Sequence, residues 1–226
     1  MERRVEPEIL DGLPVGDPAA RRSRRDLARV NRIMGNAGIL ARRLGRLRRS
    51  PRNILEIGAG DGATSLAIAR KLHRHWPGAR VTLLDRQPAV PRERLAGFAR
   101  LGWQAEPVTG DVFDVLATSR GHDLILANLF LHHFDDRLDD LLELIANRAP
   151  AFAAAEPRRT SVALAGSRLL GLLMVSDVTR HDATVSVRAG FRSTEIGDRW
   201  PEDAGHELAE SRAGLFTHLF SAERSA

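Results

Sequence analysis

Apolar residues recur along this chain first at helical and then at strand spacing, and the change of period falls near Ser50-Pro51. Leu27, Val30, Met34, Ala37, Leu40 and Leu44 stand three or four residues apart with Arg residues mostly between them, the stripe of an amphipathic helix. Asp17-Pro18 reads as an N-cap followed by proline at the first helical position. Gly35 and Gly38 bracket Asn36, so the pattern predicts a break there into two helices that pack on the core.

From Arg52 the text alternates. Ile54 to Ile57, Arg80 to Leu84, Trp103 to Val108, Asp123 to Asn128 and Ala151 to Glu156 read as strands. Helices are predicted between them at Ala63 to His73, Pro88 to Arg100, Val112 to Thr118 and Asp135 to Arg148. Such alternation implies right-handed βαβ crossovers and an α/β fold with a doubly wound, mainly parallel sheet. After Glu156 the pattern predicts a helix from about Arg159 to Leu173, a polar stretch Ser176 to Asp182, and a helix ending at Gly190. Two closing strands follow, Phe191 to Ile196 and Leu215 to Ala222, joined by a long loop carrying Trp200-Pro201. The expected organisation is an N-terminal helical cap or lid over residues 1–50 and one α/β domain over residues 51–226, with no internal repeat.

A length of 226 residues suits that arrangement and leaves little room for two unrelated domains. No apolar run reaches the ~18 residues that would span a bilayer, and no signal-type segment follows the Arg-rich N-terminus, so a cytoplasmic protein is expected. The absence of Cys excludes disulfides, thiolate nucleophiles and cysteine-ligated metal sites. Lys71 is the only Lys and Ala is abundant, which we read as the coding bias of a GC-rich bacterial genome. Of the net charge of +5, residues 1–52 carry 14 Arg against 6 Asp/Glu, about +8, and the remainder carries 20 basic against 23 acidic residues, about −3. A basic extension can meet nucleic acid, an anionic membrane surface or an acidic substrate, but the helical pattern favours the solvated outer face of lid helices.

The chemistry-bearing stretch is Asn53 to Gly62, where a short apolar strand runs through Glu56 into Gly58-Ala59-Gly60-Asp61-Gly62. Glycine leaves no Cβ between main chain and ligand, so a cofactor can lie on such a turn at the carboxyl end of the first strand. A phosphate-binding fingerprint needs G-x-G-x-x-G; the spacing here is G-x-G-x-G.

This pattern resembles motif I of the class I S-adenosylmethionine-dependent methyltransferases, whose E/D-x-G-x-G-x-G turn accommodates the methionine half of the cofactor. The resemblance covers roughly residues 52–222 and implies a Rossmann-like seven-stranded sheet closed by an antiparallel pair. It also implies S-adenosyl-L-methionine as cofactor and S-adenosyl-L-homocysteine as product. Asp85, at the end of the second strand and 25 residues beyond Gly60, falls where an acid accepts hydrogen bonds from ribose hydroxyls, with Arg86 beside the adenosine. Gly110-Asp111-Val112-Phe113 resembles the family segment whose acid meets the adenine amino group and whose next apolar residue lies against the ring; Asp111 could equally cap the following helix. The glycine turn, the second-strand acid and the third-strand acid occur in the expected order.

The fourth strand leads into Asn128-Leu129-Phe130-Leu131-His132-His133-Phe134, beside the expected cofactor methyl. It lacks the Asn-Pro-Pro-aromatic motif of amide and exocyclic-amine methyltransferases. Instead it is similar to the Leu-His-Asp-Trp segment of small-molecule O-methyltransferases, in which the first histidine deprotonates a phenolic hydroxyl. That match falls on His132, with His133 and Phe134 in place of Asp and Trp, and Glu156 could orient the histidine from the neighbouring strand. A packed loop histidine is the alternative. No metal is expected, because adjacent histidines rarely ligate one ion without carboxylates converging from elsewhere.

The resulting expectation is a bacterial small-molecule methyltransferase of secondary metabolism acting on a hydroxylated, aromatic or polyketide-like acceptor, with oxygen preferred and carbon open. Its pocket is expected between Asn31 to Asn36, the loop at His132 and the segment Met174 to His181. Two rivals stand beside it: an RNA methyltransferase using the Arg-rich segment, and a non-catalytic cofactor-binding partner of a biosynthetic complex. Aromatics total only 5% and Tyr is absent, so the Arg residues lack a stacking platform for bases, which argues against nucleic acid. Oligomeric state is left open, a homodimer included.

Overall fold

The computed structural model describes residues 1–14, 16–87, 90–169 and 175–224. A short helix, α1 (Ile9–Gly12), precedes two longer ones, α2 (Pro18–Met34) and α3 (Asn36–Leu44). The Asp17 carboxylate accepts from the amides of Ala19 and Ala20, capping α2 as the Asp-Pro pair predicts. The chain breaks at Gly35, where the glycine bracket predicted a break.

The seven strands are β1 (Asn53–Ile57), β2 (Arg80–Asp85), β3 (Gln104–Thr109), β4 (Leu124–Asn128), β5 (Ala151–Pro157), β6 (His206–Ala213) and β7 (Thr217–Arg224). Between and after the parallel strands run α4 (Ala63–Leu72), α5 (Arg92–Ala99), α6 (Val112–Thr118), α7 (Leu138–Arg148), α8 (Ser161–Leu169) and α9 (Asp177–Ala189). The sheet order is β3-β2-β1-β4-β5-β7-β6, with β1 to β5 parallel and β7 antiparallel to both β5 and β6. The chain order therefore reverses between β1 and β4, and the crevice at the carboxyl ends of those two strands is where an open α/β sheet receives ligands.

Every residue of β4 and β5 is buried, as expected of central strands covered on both faces. Along β5 the alternate residues Ala153 and Ala155 join a core layer with Leu40 and Leu44 of α3, whereas Phe152 and Ala154 join the layer of α6 and α7 on the other face. Small side chains on β5 let α3 lie close to the sheet, and this brings the cap to the carboxyl end of β4.

Two readings of the C-terminal third are corrected. Phe191 to Ile196 is not a strand: after one bridge between Arg158 and Phe191 the chain turns, and its Phe191, Ile196 and Trp200 side chains seal the core instead. The sixth strand is His206–Ala213, read as loop because its apolar alternation is broken by Glu207, Glu210 and Arg212. The exposed Glu207 and Arg212 belong on an edge strand, where they oppose pairing with another chain, whereas Glu210 turns inward onto the amides of Ile196 and Gly197 and pairs with His218. The polar stretch Ser176 to Asp182 is the start of α9, with the Ser176 hydroxyl accepting from the Thr179 amide as N-cap. The predicted helix from Arg159 is seen as α8, and its expected end at Leu173 lies outside the described residues, as do Pro88 and Ala89 before α5.

Candidate active site

The glycine turn is tied to the end of β2 by two hydrogen bonds. The Ala59 amide donates to the Leu84 carbonyl (2.9 Å) and the Gly60 amide to Asp85 Oδ2 (2.7 Å). Asp85 Oδ1 accepts from the Gln87 amide (2.9 Å), so both carboxylate oxygens are fixed while each keeps a further lone pair. Arg86 is exposed at the same strand end. Gly58 holds φ 66° with its α-carbon facing the Phe130 ring, where a Cβ would come within 2.2 Å. Gly60 holds φ 55°, and a Cβ there would meet nothing within 4 Å.

Glu56, at the base of the turn, is buried, and its Oε2 has no hydrogen-bond partner. Burial, reinforced by the nearby Asp61 and Asp85 charges and opposed by Ser65, pushes its carboxyl up to about 8. Asp61 turns to the protein: its carboxylate accepts from the Ala63 amide (3.0 Å) and pairs with Arg94 (2.5 Å). Asp111 caps α6 through the Phe113 amide (2.9 Å), and Val112 is buried behind it.

Asn128 ends β4 inside a buried chain of hydrogen bonds. The Thr217 hydroxyl donates to Asn36 Oδ1 (2.6 Å), Asn36 Nδ2 to Asn128 Oδ1 (2.9 Å), and Asn128 Nδ2 to Thr64 Oγ1 (3.3 Å). The chain thus joins β7, the cap helix α3, β4 and α4.

Beyond Asn128 the backbone enters a sharp turn, with Leu129 at φ 55° and a single 3₁₀ turn at Leu131–His133. Glu156 of β5 governs this turn. Its Oε1 accepts from the amides of Phe130 (3.0 Å) and Leu131 (3.0 Å), and its Oε2 accepts from the amide of His132 (3.4 Å) and bonds His132 Nδ1 (2.8 Å). On the far side of the ring, Nε2 lies 3.4 Å from Glu8 Oε1, an ion-pair contact out of line for a hydrogen bond. Glu8 in turn receives the Ser186 hydroxyl of α9.

Burial alone would drive the His132 imidazole down, but the two carboxylates outweigh it and raise it to about 9. His132 is therefore an imidazolium at neutral pH. His133, its ring centroid 4.3 Å from that of His132, is moved the other way, by burial and then by the neighbouring positive charge. Its Nδ1 lies 3.5 Å from Asp11 Oδ2. Glu156 is held below the usual carboxylate range because its contact with His132 and the amides of Phe130 and Leu131 outweigh its burial. Phe130 and Phe134 meet edge to face (5.1 Å), Phe113 lies against Phe134 (5.8 Å), and this half-buried cluster meets His133 through the Phe130 ring (6.5 Å).

The residues singled out in the sequence thus fall into two groups at the switch point, the turn with Glu56 and Asp85 after β1 and β2, and His132, His133 and Glu156 above β4 and β5. Asp61 and Asn128 engage protein partners in both halves of their side chains. Sequence reading missed Glu8 and Asp11 as neighbours of the site, whereas Asn36 belongs to the span Asn31 to Asn36 expected beside it. Nothing in local spacing marks Glu8, which reaches His132 only because Asp182 of α9 accepts from the amides of Ile9 (2.9 Å) and Leu10 (3.0 Å) and seats the N-terminal segment. Ligand-type atoms of Glu8, His132 and His133 lie within 4.8 Å of one another, so a converging carboxylate does reach the histidine pair.

A glycine turn after β1, an acid at the end of β2 and a sheet of order 3-2-1-4-5-7-6 define an α/β fold of the class I methyltransferase type. Residues 55–149 match the family model described as a methyltransferase domain. No protein of curated function matches the sequence. Among solved structures, the chain is similar to the plantazolicin methyltransferase BpumL in complex with a monoazolic desmethylPZN analog and S-adenosylhomocysteine. That match has 15% identity over 92% of this chain and 91% of that one, with TM-score 0.66. An O-methyltransferase family protein from Burkholderia thailandensis aligns at 17% identity over 94% of this chain and 64% of that one, TM-score 0.59. Magnesium protoporphyrin IX methyltransferase from Synechocystis PCC 6803 with bound S-adenosylmethionine aligns at 14% identity over 96% and 88%, TM-score 0.52.

The chain has the fold of the class I S-adenosylmethionine-dependent methyltransferases, and its residues 55–149 match the methyltransferase-domain model. Its own residues fit that cofactor: the α-carbon of Gly60 faces open space, Glu56 Oε2 is buried without a partner, and Asp85 retains acceptor capacity. Among the described residues, no helix is long and apolar enough to cross a membrane.

Proposed function

We propose that the enzyme transfers the methyl group to the hydroxyl oxygen of a small aromatic or polyketide-like acceptor, and that His133 takes the hydroxyl proton. S-adenosylmethionine supplies an electrophilic methyl carbon on sulfur. In-line displacement leaves the protein two tasks, aligning the acceptor and removing its proton as oxygen attacks.

The observation that carries the reading is the His132–His133 pair at the carboxyl end of β4, next to the glycine turn and with only one of the two rings closed off. His132, expected from the family resemblance to be the base, has both ring nitrogens facing carboxylates and already holds its proton. His133 is partly exposed and its affinity for a proton is lowered, so it is neutral and accessible. Phe130 beside it, continued by Phe134 and Phe113, suits an aromatic ring, which favours edge-to-face contacts.

On this reading Glu56, Gly58, Ala59 and Gly60 receive the methionine half of the cofactor, Asp85 the ribose, with Arg86 alongside, and Asp111 and Val112 the adenine. Asp61 and Asn128 shape the cradle through Arg94, Thr64 and Asn36. Residues 1–50 act as a lid on a domain spanning 51–226. The acceptor enters between Asn31 to Asn36, the turn at His132 and the start of α9; Met174, expected on its rim, lies outside the described residues.

The test is incubation with trideuteromethyl S-adenosylmethionine and a panel of phenols, hydroxylated polyketide-like lactones and matched amines, with the label located by mass spectrometry. Label on oxygen is expected. Label confined to nitrogen, or to carbon of acceptors without a free hydroxyl, overturns the reading.

A further inference from the structure

We propose that Glu8 is a positioning residue of the proton-transfer pair: from the N-terminal segment it completes a two-carboxylate clasp that fixes the His132 ring against His133. This rests on His133 as the base. Glu8 is nearly buried, its side chain 10% exposed, although it belongs to a segment whose other acids are open to solvent or at the rim. One carboxylate oxygen faces His132 Nε2 at 3.4 Å, on the side opposite the 2.8 Å bond from Nδ1 to Glu156. The Ser186 hydroxyl of α9 donates to that same oxygen and fixes the carboxylate.

The seat of this residue is itself built. Asp182 accepts from the amides of Ile9 and Leu10, Arg3 reaches Asp135 (2.8 Å) and the carbonyl of Ala189 (2.9 Å), and Arg159 donates to the carbonyl of Met1. Residues 1–12 therefore lie across the histidine turn, and the clasp exists only while they are seated.

Around the two rings stand Glu8 and Asp11 from the N-terminal segment, Glu156 from β5, Asp182 and His181 from α9, and Asp135 with Arg3 at the edge. Of these, only Glu8 and Glu156 contact His132 itself. A His132 charged at neutral pH, its ring centroid 4.3 Å from that of His133, disfavours a second proton there, since like charges so close oppose each other. Burial of Glu8 and its contact with His132 work against each other, and the contact prevails, holding Glu8 ionised. The lid and the base are thereby coupled through one ion pair.

The test is an NMR titration of the His132 ring in the full-length protein with S-adenosylhomocysteine bound, comparing wild type, Glu8→Gln and Ser186→Ala. In wild type the ring stays protonated well into the alkaline range. In Glu8→Gln its midpoint falls by about one pH unit or more, a tenfold or larger loss of proton affinity. The acid limb of the pH–rate profile, which reports loss of the His133 proton, moves the same way because Glu8 also favours a proton there, and kcat falls about tenfold. Ser186→Ala, which leaves Glu8 in place, shifts both in the same direction by less. An unmoved His132 midpoint and an unmoved pH profile in Glu8→Gln overturn Glu8's role whatever the histidine variants do. Full activity of His133→Ala overturns the base reading whatever the titration shows.

Discussion

Gly58 and Gly60 share a left-handed backbone, φ 66° and 55°, yet a methyl group added at each meets different surroundings. At Gly58 it strikes the Phe130 ring at 2.2 Å, so Gly58→Ala combines ~1–3 kcal/mol of backbone strain with displacement of that ring. Chemical denaturation is expected to show that loss together with weakened S-adenosylhomocysteine binding. At Gly60 nothing lies within 4 Å, so Gly60→Ala is expected to cost only the ~1–2 kcal/mol of an L-residue in the left-handed region. Its main effect is expected on cofactor affinity, a drop of tenfold or more by calorimetry, because the methyl group points into the open space proposed for the cofactor. Equal stability losses with unchanged affinity in both variants would contradict this. Glu56 adds a pH signature. Its folded value, about 8, lies above the ordinary 4.5, so the native state holds the proton more tightly than the unfolded chain. The stability it contributes is complete below about 4.5 and is lost as pH rises through about 8. Glu56→Gln, which mimics the protonated acid, is expected to flatten that fall in thermal midpoint of the cofactor-free protein. The glycines, Glu56 and Asp85 were legible in sequence because each is set by its place on a strand end. The protonation of His132 was not, since it depends on Glu8, brought in by tertiary packing alone.

At the scale of elements, the cap is joined to the catalytic sheet by the polar chain Thr217–Asn36–Asn128–Thr64. Asn36→Ala strands a buried hydroxyl on β7 and a carbonyl at the end of β4, which costs ~1–3 kcal/mol for each group left unpaired. A double-mutant cycle with Thr217→Val should return a coupling of ~0.5–3 kcal/mol. Additivity would mean that the cap is held by its apolar face alone. The helices of the cap and the five parallel strands could be read from periodicity. β6 could not, because Glu207, Glu210 and Arg212 suppress the alternation that marks a strand, and an edge strand needs no second apolar face. The Phe191 segment erred in the opposite sense: its apolar residues mark burial in the core and not a ladder of backbone hydrogen bonds.

For the whole molecule, the sheet reverses its order at β1 and β4, and both chemical groups stand over that gap. The glycine turn belongs to one side of the switch and the histidine turn to the other, so the seating of residues 1–12 over the second need not alter the first. Affinity for the cofactor and turnover should therefore separate under mutation. The measurement that tests this most directly compares single-turnover methylation of a phenolic acceptor by wild type and His133→Ala, with S-adenosylhomocysteine affinity measured on both. The account predicts unchanged affinity and a rate lower by ~10²–10⁴-fold in the variant. A rate equal to wild type at the same affinity would contradict it, leaving a methyltransferase that only aligns its acceptor.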